Sequence, residues 1–154
     1  SRSSAASDVY KRQGRCVDPA AREVRQLASQ IVDPVWSAIC RSGNVNADYM
    51  HFLDGEVLAS QGDLAQHAYV LLSGSVAEEQ PDGTESVISR EGAFLGEVGL
   101  LAGMPRPSTL RARGEAWVLA FNAAELEQFM VTHPAIAVRL LKNLAVRLAQ
   151  RSKA

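Results

Sequence analysis

A mainly β domain, a sandwich or barrel with helices at both ends, is the fold class that three features of the sequence predict. Across residues 49–121, short apolar runs alternate with turn signals at Asp54-Gly55, Gln61-Gly62-Asp63, Ser73-Gly74, Pro81-Asp82-Gly83, Glu91-Gly92 and Arg113-Gly114. Turn signals spaced about 8 to 12 residues apart are the mark of short strands folded back on one another. On either side of this stretch the apolar period changes to that of a helix. The chain has 154 residues and 47% apolar content, enough for one domain with a core that needs no disulfide or metal.

The elements follow in order. Residues 1–13 have no apolar period and read as a disordered or non-native, adapter-derived segment, so the domain reads as the tail of a longer protein. Residues 14–48 read as helical. Asp18-Pro19 has the form of an N-cap with proline at the first helical position, and Val24, Leu27, Ile31 and Val32 follow at helical spacing. Asp33-Pro34 opens a second helix through Trp36, Ile39 and Cys40, which stops at Ser42-Gly43-Asn44. Residues 49–121 form the β unit. Residues 122–154 return to helix: Asn122 and Glu125 make a capping box, and Thr132-His133-Pro134 restarts the chain. A last helix over about 135–151 sets Ile136, Leu140, Leu141, Leu144 and Leu148 on one stripe.

Charge and residue chemistry exclude several functions. A net charge of -1 gives no field for nucleic acid or an anionic membrane, and no apolar run approaches the roughly 18 residues that span a bilayer. A soluble, cytoplasmic protein is the expectation. Cys16 and Cys40 are too few for an iron–sulfur centre, and Cys40 reads as a small residue in helix packing. His51, His67 and His133 are scattered, which argues against the clustered ligands of a metal-dependent cupin barrel, and no cofactor is expected. With no nucleophile elbow and no carboxylate pair spaced for acid–base work, the reading is a sensor and not an enzyme.

Residues 92–111 hold the chemistry that remains. One carboxylate, Glu97, and one guanidinium, Arg106, stand nine positions apart in a glycine-spaced loop. Gly96 and Gly99 allow backbone N–H groups to approach an anion closely, and a helical turn starting there would direct its positive end at a phosphate. Arginine offers two parallel donors to phosphate oxygens, whereas an ionised glutamate only accepts and suits a ribose hydroxyl.

Phe94-x-Gly96-Glu97-x-Gly99-Leu100-Leu101, followed by Pro105-Arg106-x-Ser108-Thr109-Leu110, resembles the phosphate-binding cassette of cyclic nucleotide-binding domains. Such domains occur in protein kinase A regulatory subunits, cyclic nucleotide-gated channels and the catabolite activator protein. Asp54-Gly55-Glu56, Gln61-Gly62-Asp63 and residues 69–76 extend the resemblance, so it covers roughly 49–151. It implies an eight-stranded β-roll with N-terminal helices and a C-terminal lid helix, and a regulatory domain whose ligand moves that helix against an attached channel, transporter or kinase.

The resemblance also implies a site. Gly96, Glu97, Val98, Gly99, Arg106, Pro107 and Ser108 belong to the cassette, and Arg147, Arg151 and Ser152 stand where a lid could reach the ligand. Arg106 and backbone amides near Gly99 and Ser108 would take the cyclic phosphate; Glu97 and the Gly96 backbone would take the ribose 2′-hydroxyl. Cyclic AMP is expected before cyclic GMP, because cyclic GMP-selective relatives usually carry threonine where this chain has Pro107. Pro107 departs from the pattern in a second way: it lacks the N–H that relatives donate to phosphate. A cyclic nucleotide-binding-like domain that has lost its ligand is therefore one alternative. Another is the sensor of a truncated catabolite-activator-type transcription factor. Such a factor needs a helix-turn-helix of about 60 further residues, so no nucleic-acid contact is expected from this segment, which should be a monomer or weak homodimer.

Overall fold

Two long antiparallel strands, β4 (Ala68–Glu79) and β7 (Thr109–Phe121), organise the computed structural model, which describes residues 14–152. The other strands hang on them: β1 (Arg15–Val17), β2 (Asp48–Phe52), β3 (Val57–Ala59), β5 (Glu85–Ile88) and β6 (Phe94–Leu95). The order is β1-β2-β7-β4-β5, with β3 paired to β7 and β6 paired to β4, and every pairing is antiparallel. Helices α1 (Arg22–Gln30) and α2 (Pro34–Ser42) precede the roll, α3 (Glu97–Ala102) interrupts it, and α4 (Ala123–Thr132) and α5 (Pro134–Ser152) follow. The reading of residues 1–13 lies outside the described residues.

The β-roll is as expected, but among the described residues it has seven strands where eight were predicted. Two of the predicted turns are the reason. Ser73-Gly74 lies inside β4 and Arg113-Gly114 inside β7, both glycines at positive φ, 87° and 73°. A left-handed glycine bends a strand through a bulge as readily as it turns a hairpin, and sequence alone does not separate the two. The β4–β7 register slips between Leu71 and Ser73 and again between Gly74 and Val76. A Cβ at Gly74 would collide with the Glu115 carbonyl oxygen, so the strands meet there backbone to backbone.

Alternation along β4 feeds two cores. Val70 and Leu72 pack with Trp36, Ile39, Phe121 and Phe129 beneath the helices, whereas Tyr69 and Leu71 point into the roll with Met50 and Phe52. The run 68–72 is therefore apolar throughout without being a helix. Cys40 and Tyr49 pair at the helix layer, where burial pushes both the thiol and the phenol above their ordinary pKa and keeps them neutral.

Helix boundaries bear out some of the capping signals. Asp33 Oδ1 accepts from the amides of Val35 (2.9 Å) and Trp36 (3.4 Å), and Gly43 ends α2 at φ 69°. Asn122 and Glu125 form the reciprocal capping box of α4. Asp18 does not start α1. Its carboxylate takes the Ala20 amide and its carbonyl takes Ala21, closing a turn that ends just before the helix begins at Arg22. Val32 falls beyond the helix end and is 84% exposed. The α5 stripe is also narrower than expected. Ile136 and Leu140 are buried and Leu144 half-buried, but Leu141 and Leu148 are 66% and 67% exposed. At 100° per residue those two lie about 140° and 120° around the helix from Ile136.

Gly74→Ala tests the crossing of β4 and β7. It should cost about 2–4 kcal/mol of stability in urea denaturation, combining strained φ with a backbone collision, whereas Gly83→Ala, in open space at φ 90°, should cost about 1 kcal/mol. Equal losses at the two positions would show that the strands separate freely at Gly74.

Candidate functional site

The loop between β6 and β7 is anchored at both ends before it carries any side chain. β6 pairs with the start of β4 through Tyr69↔Leu95 and Val70↔Phe94. At the far end Leu64 bridges Pro105, the Arg106 amide donates to Asp63 O (2.8 Å), and Gly62 N–H donates to Arg106 O (2.9 Å). Gly96 at φ 71° turns the chain into α3, and Gly103 at φ 65° ends it. Gly99 is tight, since a Cβ there would lie 3.1 Å from the Ala65 Cβ and 3.3 Å from Met104 O.

Arg106 is 6% exposed. Its Nη1 donates to Gly96 O (2.9 Å) and its Nη2 to His67 O (2.6 Å), while the guanidinium carbon stands 5.7 Å from the centre of the Tyr69 ring. Tyr69 is itself fixed by a hydrogen bond from its hydroxyl to Leu58 O (3.0 Å). A Cβ on Gly96 would strike Nη1 of Arg106, so glycine is required there by close approach as well as by φ. Two carbonyls from different segments thus orient the cation.

Glu97 is the other buried charge, 2% exposed, and Arg147 of α5 reaches it with Nη2. A buried carboxylate facing a half-exposed arginine makes the contact dependent on the position of the helix. Ser108 is buried too, with Oγ donating to Glu78 Oε2 (2.9 Å).

The fold thus gathers Gly96, Glu97, Gly99, Arg106 and Ser108 on one loop and brings Arg147 to it from 50 residues away. The remaining candidates sit differently. Val98 is 43% exposed, and Pro107 and Arg151 are exposed. Ser152 is the last described residue of α5. Sequence reasoning missed the parts that hold Arg106 and Ser108. The His67 carbonyl carries no sequence signal, Tyr69 reads as an ordinary core aromatic, and Glu78 reads as an outward residue of β4.

A buried guanidinium and a buried carboxylate thus share one glycine-bracketed loop. The family model for the cyclic nucleotide-binding domain matches residues 49–133, more than half of the chain. The chain belongs to the cyclic nucleotide-binding domain family. This cyclic nucleotide-binding domain is 33% identical over 86 residues to an uncharacterised ABC transporter ATP-binding protein of Mycobacterium bovis, covering 53% of the chain and 26% of that relative. The match thus spans about a quarter of the relative's length. Among solved structures, the catabolite activator protein of Thermus thermophilus superposes with a TM-score of 0.61 at 23% identity, over 88% of this chain and 60% of that one. PKAR CBD2 bound to Sp-2Cl-cAMPS superposes with a TM-score of 0.59 at 18% identity, over 88% and 95%. Both likenesses establish the β-roll fold.

Removing the lid contact should loosen α5 locally. Arg147→Ala should lower stability by about 1–3 kcal/mol, since it leaves a carboxylate that is 2% exposed without its arginine, and amide exchange around Arg147 should quicken at least about five-fold. Unchanged exchange would mean that the contacts of Ile136, Arg139 and Leu140 hold the helix without Arg147.

Proposed function

We propose that this domain is a cyclic AMP sensor that acts on an attached effector and catalyses no reaction itself. The observation that carries the reading is the burial of Arg106 and Glu97 together on the cassette loop. Arg106, oriented by two carbonyls, takes the cyclic phosphate with help from backbone amides near Gly99 and Ser108. Glu97 takes the ribose 2′-hydroxyl. The Gly96 carbonyl, already accepting from Arg106, serves to aim the guanidinium.

Signal output follows from the lid. Arg147 already touches Glu97, so a hydroxyl arriving at that carboxylate shares an acceptor with α5 and changes the hold on the helix. Arg151, one turn further along, follows the same movement. A ligand shifts this equilibrium only by its differential affinity for the two helix positions. The effector would be of the kind named in the relatives, such as the ATP-binding subunit of a transporter. Pro107 in place of threonine favours cyclic AMP over cyclic GMP.

Titration calorimetry with cyclic AMP should give a free energy of about -8 to -12 kcal/mol, that is, micromolar to nanomolar affinity. No heat and no thermal shift at millimolar ligand would count against the reading. Arg106→Ala should weaken binding by about 2–5 kcal/mol. It should also lower the melting temperature, because the Gly96 and His67 carbonyls lose their donor. A binding loss under tenfold in protein that stays folded by circular dichroism would leave Arg106 a structural role alone.

Pro107→Ala addresses the missing amide. A hydrogen bond to a charged acceptor contributes about 1.5–3 kcal/mol, so restoring the N–H should tighten cyclic AMP binding roughly 10- to 100-fold. Pro107 is exposed, and the melting temperature should hardly move. Unchanged or weaker affinity would show that proline's shape matters and not its lost proton.

A further inference from the structure

A cavity of about 250 Å³ opens between α2, the turn at 90–92 and α5, and none of Glu97, Arg106 or Ser108 lines it. We propose that it is a second ligand site, taking a small organic carboxylate with a flat or compact apolar body. The proposal does not depend on the cyclic nucleotide reading.

Three observations converge on that chemistry. The first is the floor. Trp36 lines the cavity, 2% exposed, stacked on Phe129 (5.5 Å, 14° between planes) with its edge toward Phe94 (6.4 Å, 65°). Its indole N–H meets no acceptor among the described residues and is not one of the buried atoms left without a partner, so it is open to what enters the cavity. Gly92 also lines the cavity, and any Cβ there would collide with that nitrogen, so glycine keeps the space beside the donor open.

The second is the rim. Arg90, Arg139 and Lys142 surround the opening, with Asp33 and Glu91 as the acids. Both acids are committed to backbone donors. Glu91 accepts from the amides of Val32 (3.0 and 3.2 Å) and Asp33 (3.0 Å), and Asp33 Oδ1 caps α2. Arg139 reaches Asp33 Oδ2 at 3.4 Å, but Arg90 and Lys142 make no hydrogen bond or ion pair among the described residues. Three cations stand against two acids, so the rim carries a net positive charge. Solvated surface cations are common, but here they stand over an aromatic floor whose indole N–H is open to the cavity.

The third is size and lining. Sites for drug-sized ligands begin near 300 Å³, so this one suits an acid of roughly ten heavy atoms. Ile136 and Leu140 supply an apolar wall for its body. A carboxylate would accept from the indole and face Arg90 and Lys142.

Tryptophan indole signals give the test. The chain has two tryptophans, and Trp117 stacks on His51 away from this cavity, serving as an internal control. In nitrogen–proton correlation spectra of the whole chain, sodium benzoate should move the Trp36 indole peak downfield and saturate with a Kd of about 0.1–5 mM, leaving the Trp117 peak in place. Benzyl alcohol, of the same shape without the charge, should bind at least about tenfold more weakly. The double variant Arg90→Glu with Lys142→Glu, at two exposed positions, should lose about tenfold or more in benzoate affinity at an unchanged melting temperature. The proposal is overturned by any of three results: no saturable shift of Trp36, equal binding of benzyl alcohol, or full benzoate affinity in the folded double variant.

Discussion

The buried guanidinium of Arg106 is the constraint on which the rest of the candidate site depends. Its two carbonyl partners lie on different segments, Gly96 at the entry to α3 and His67 just before β4, and its own backbone is pinned to the turn at 62–63. This residue thereby ties its own loop to three other pieces of chain, through its side chain to the two segments that the β4–β6 pairing already brings together and through its backbone to the turn. A cation kept from water costs several kcal/mol unless its surroundings compensate, and the two carbonyls supply part of that compensation. The result is a cradle that orients the guanidinium. The glycine at position 96 is a condition of this arrangement, since any side chain there would occupy the space that the guanidinium fills.

α5 is the element through which distant parts of the molecule meet. Its first half packs Ile136 and Leu140 against the helix layer and presents Arg139 and Lys142 to the Trp36 cavity; its second half carries Arg147 to Glu97. The two halves are parts of one rigid rod of 19 residues, so whatever tilts one end moves the other. The apolar anchorage is confined to the first half. Beyond Leu144 the helix is held to the cassette through a polar contact, whose strength responds to what else Glu97 is bonded to.

Much of this was legible in the residues, and the failures share a cause. Capping signals at Asp33 and at Asn122 with Glu125 were read correctly because both partners are local. Asp18-Pro19 carried the same local signal and closed a turn instead, since the chain there must first leave the edge strand β1. Ser73-Gly74 and Arg113-Gly114 were misread as turns. Glycine reports a backbone conformation and not the fate of the chain after it, and only the partner strand decides between bulge and hairpin. In the loop, Glu97 and Arg106 stood out as charges among glycines. What holds them did not: the His67 carbonyl has no side-chain signature, and the meeting of Arg147 with Glu97 depends on the angle at which α5 leaves α4. Leu141 and Leu148 were assigned to the packed stripe because spacing alone does not say how wide a face the neighbours will cover.

The alternation along β4 makes the central strand a partition common to both cores. Odd residues 69 and 71 belong to the roll interior and even residues 70 and 72 to the helix layer. Insertion or deletion of one residue in this run would exchange the two sets, so that each core received side chains shaped for the other. Loops around the roll can change length with little consequence, but here the spacing of the chain is as tightly constrained as its chemistry. Side chains at 68–72 can change within apolar limits, whereas the number of residues across them cannot.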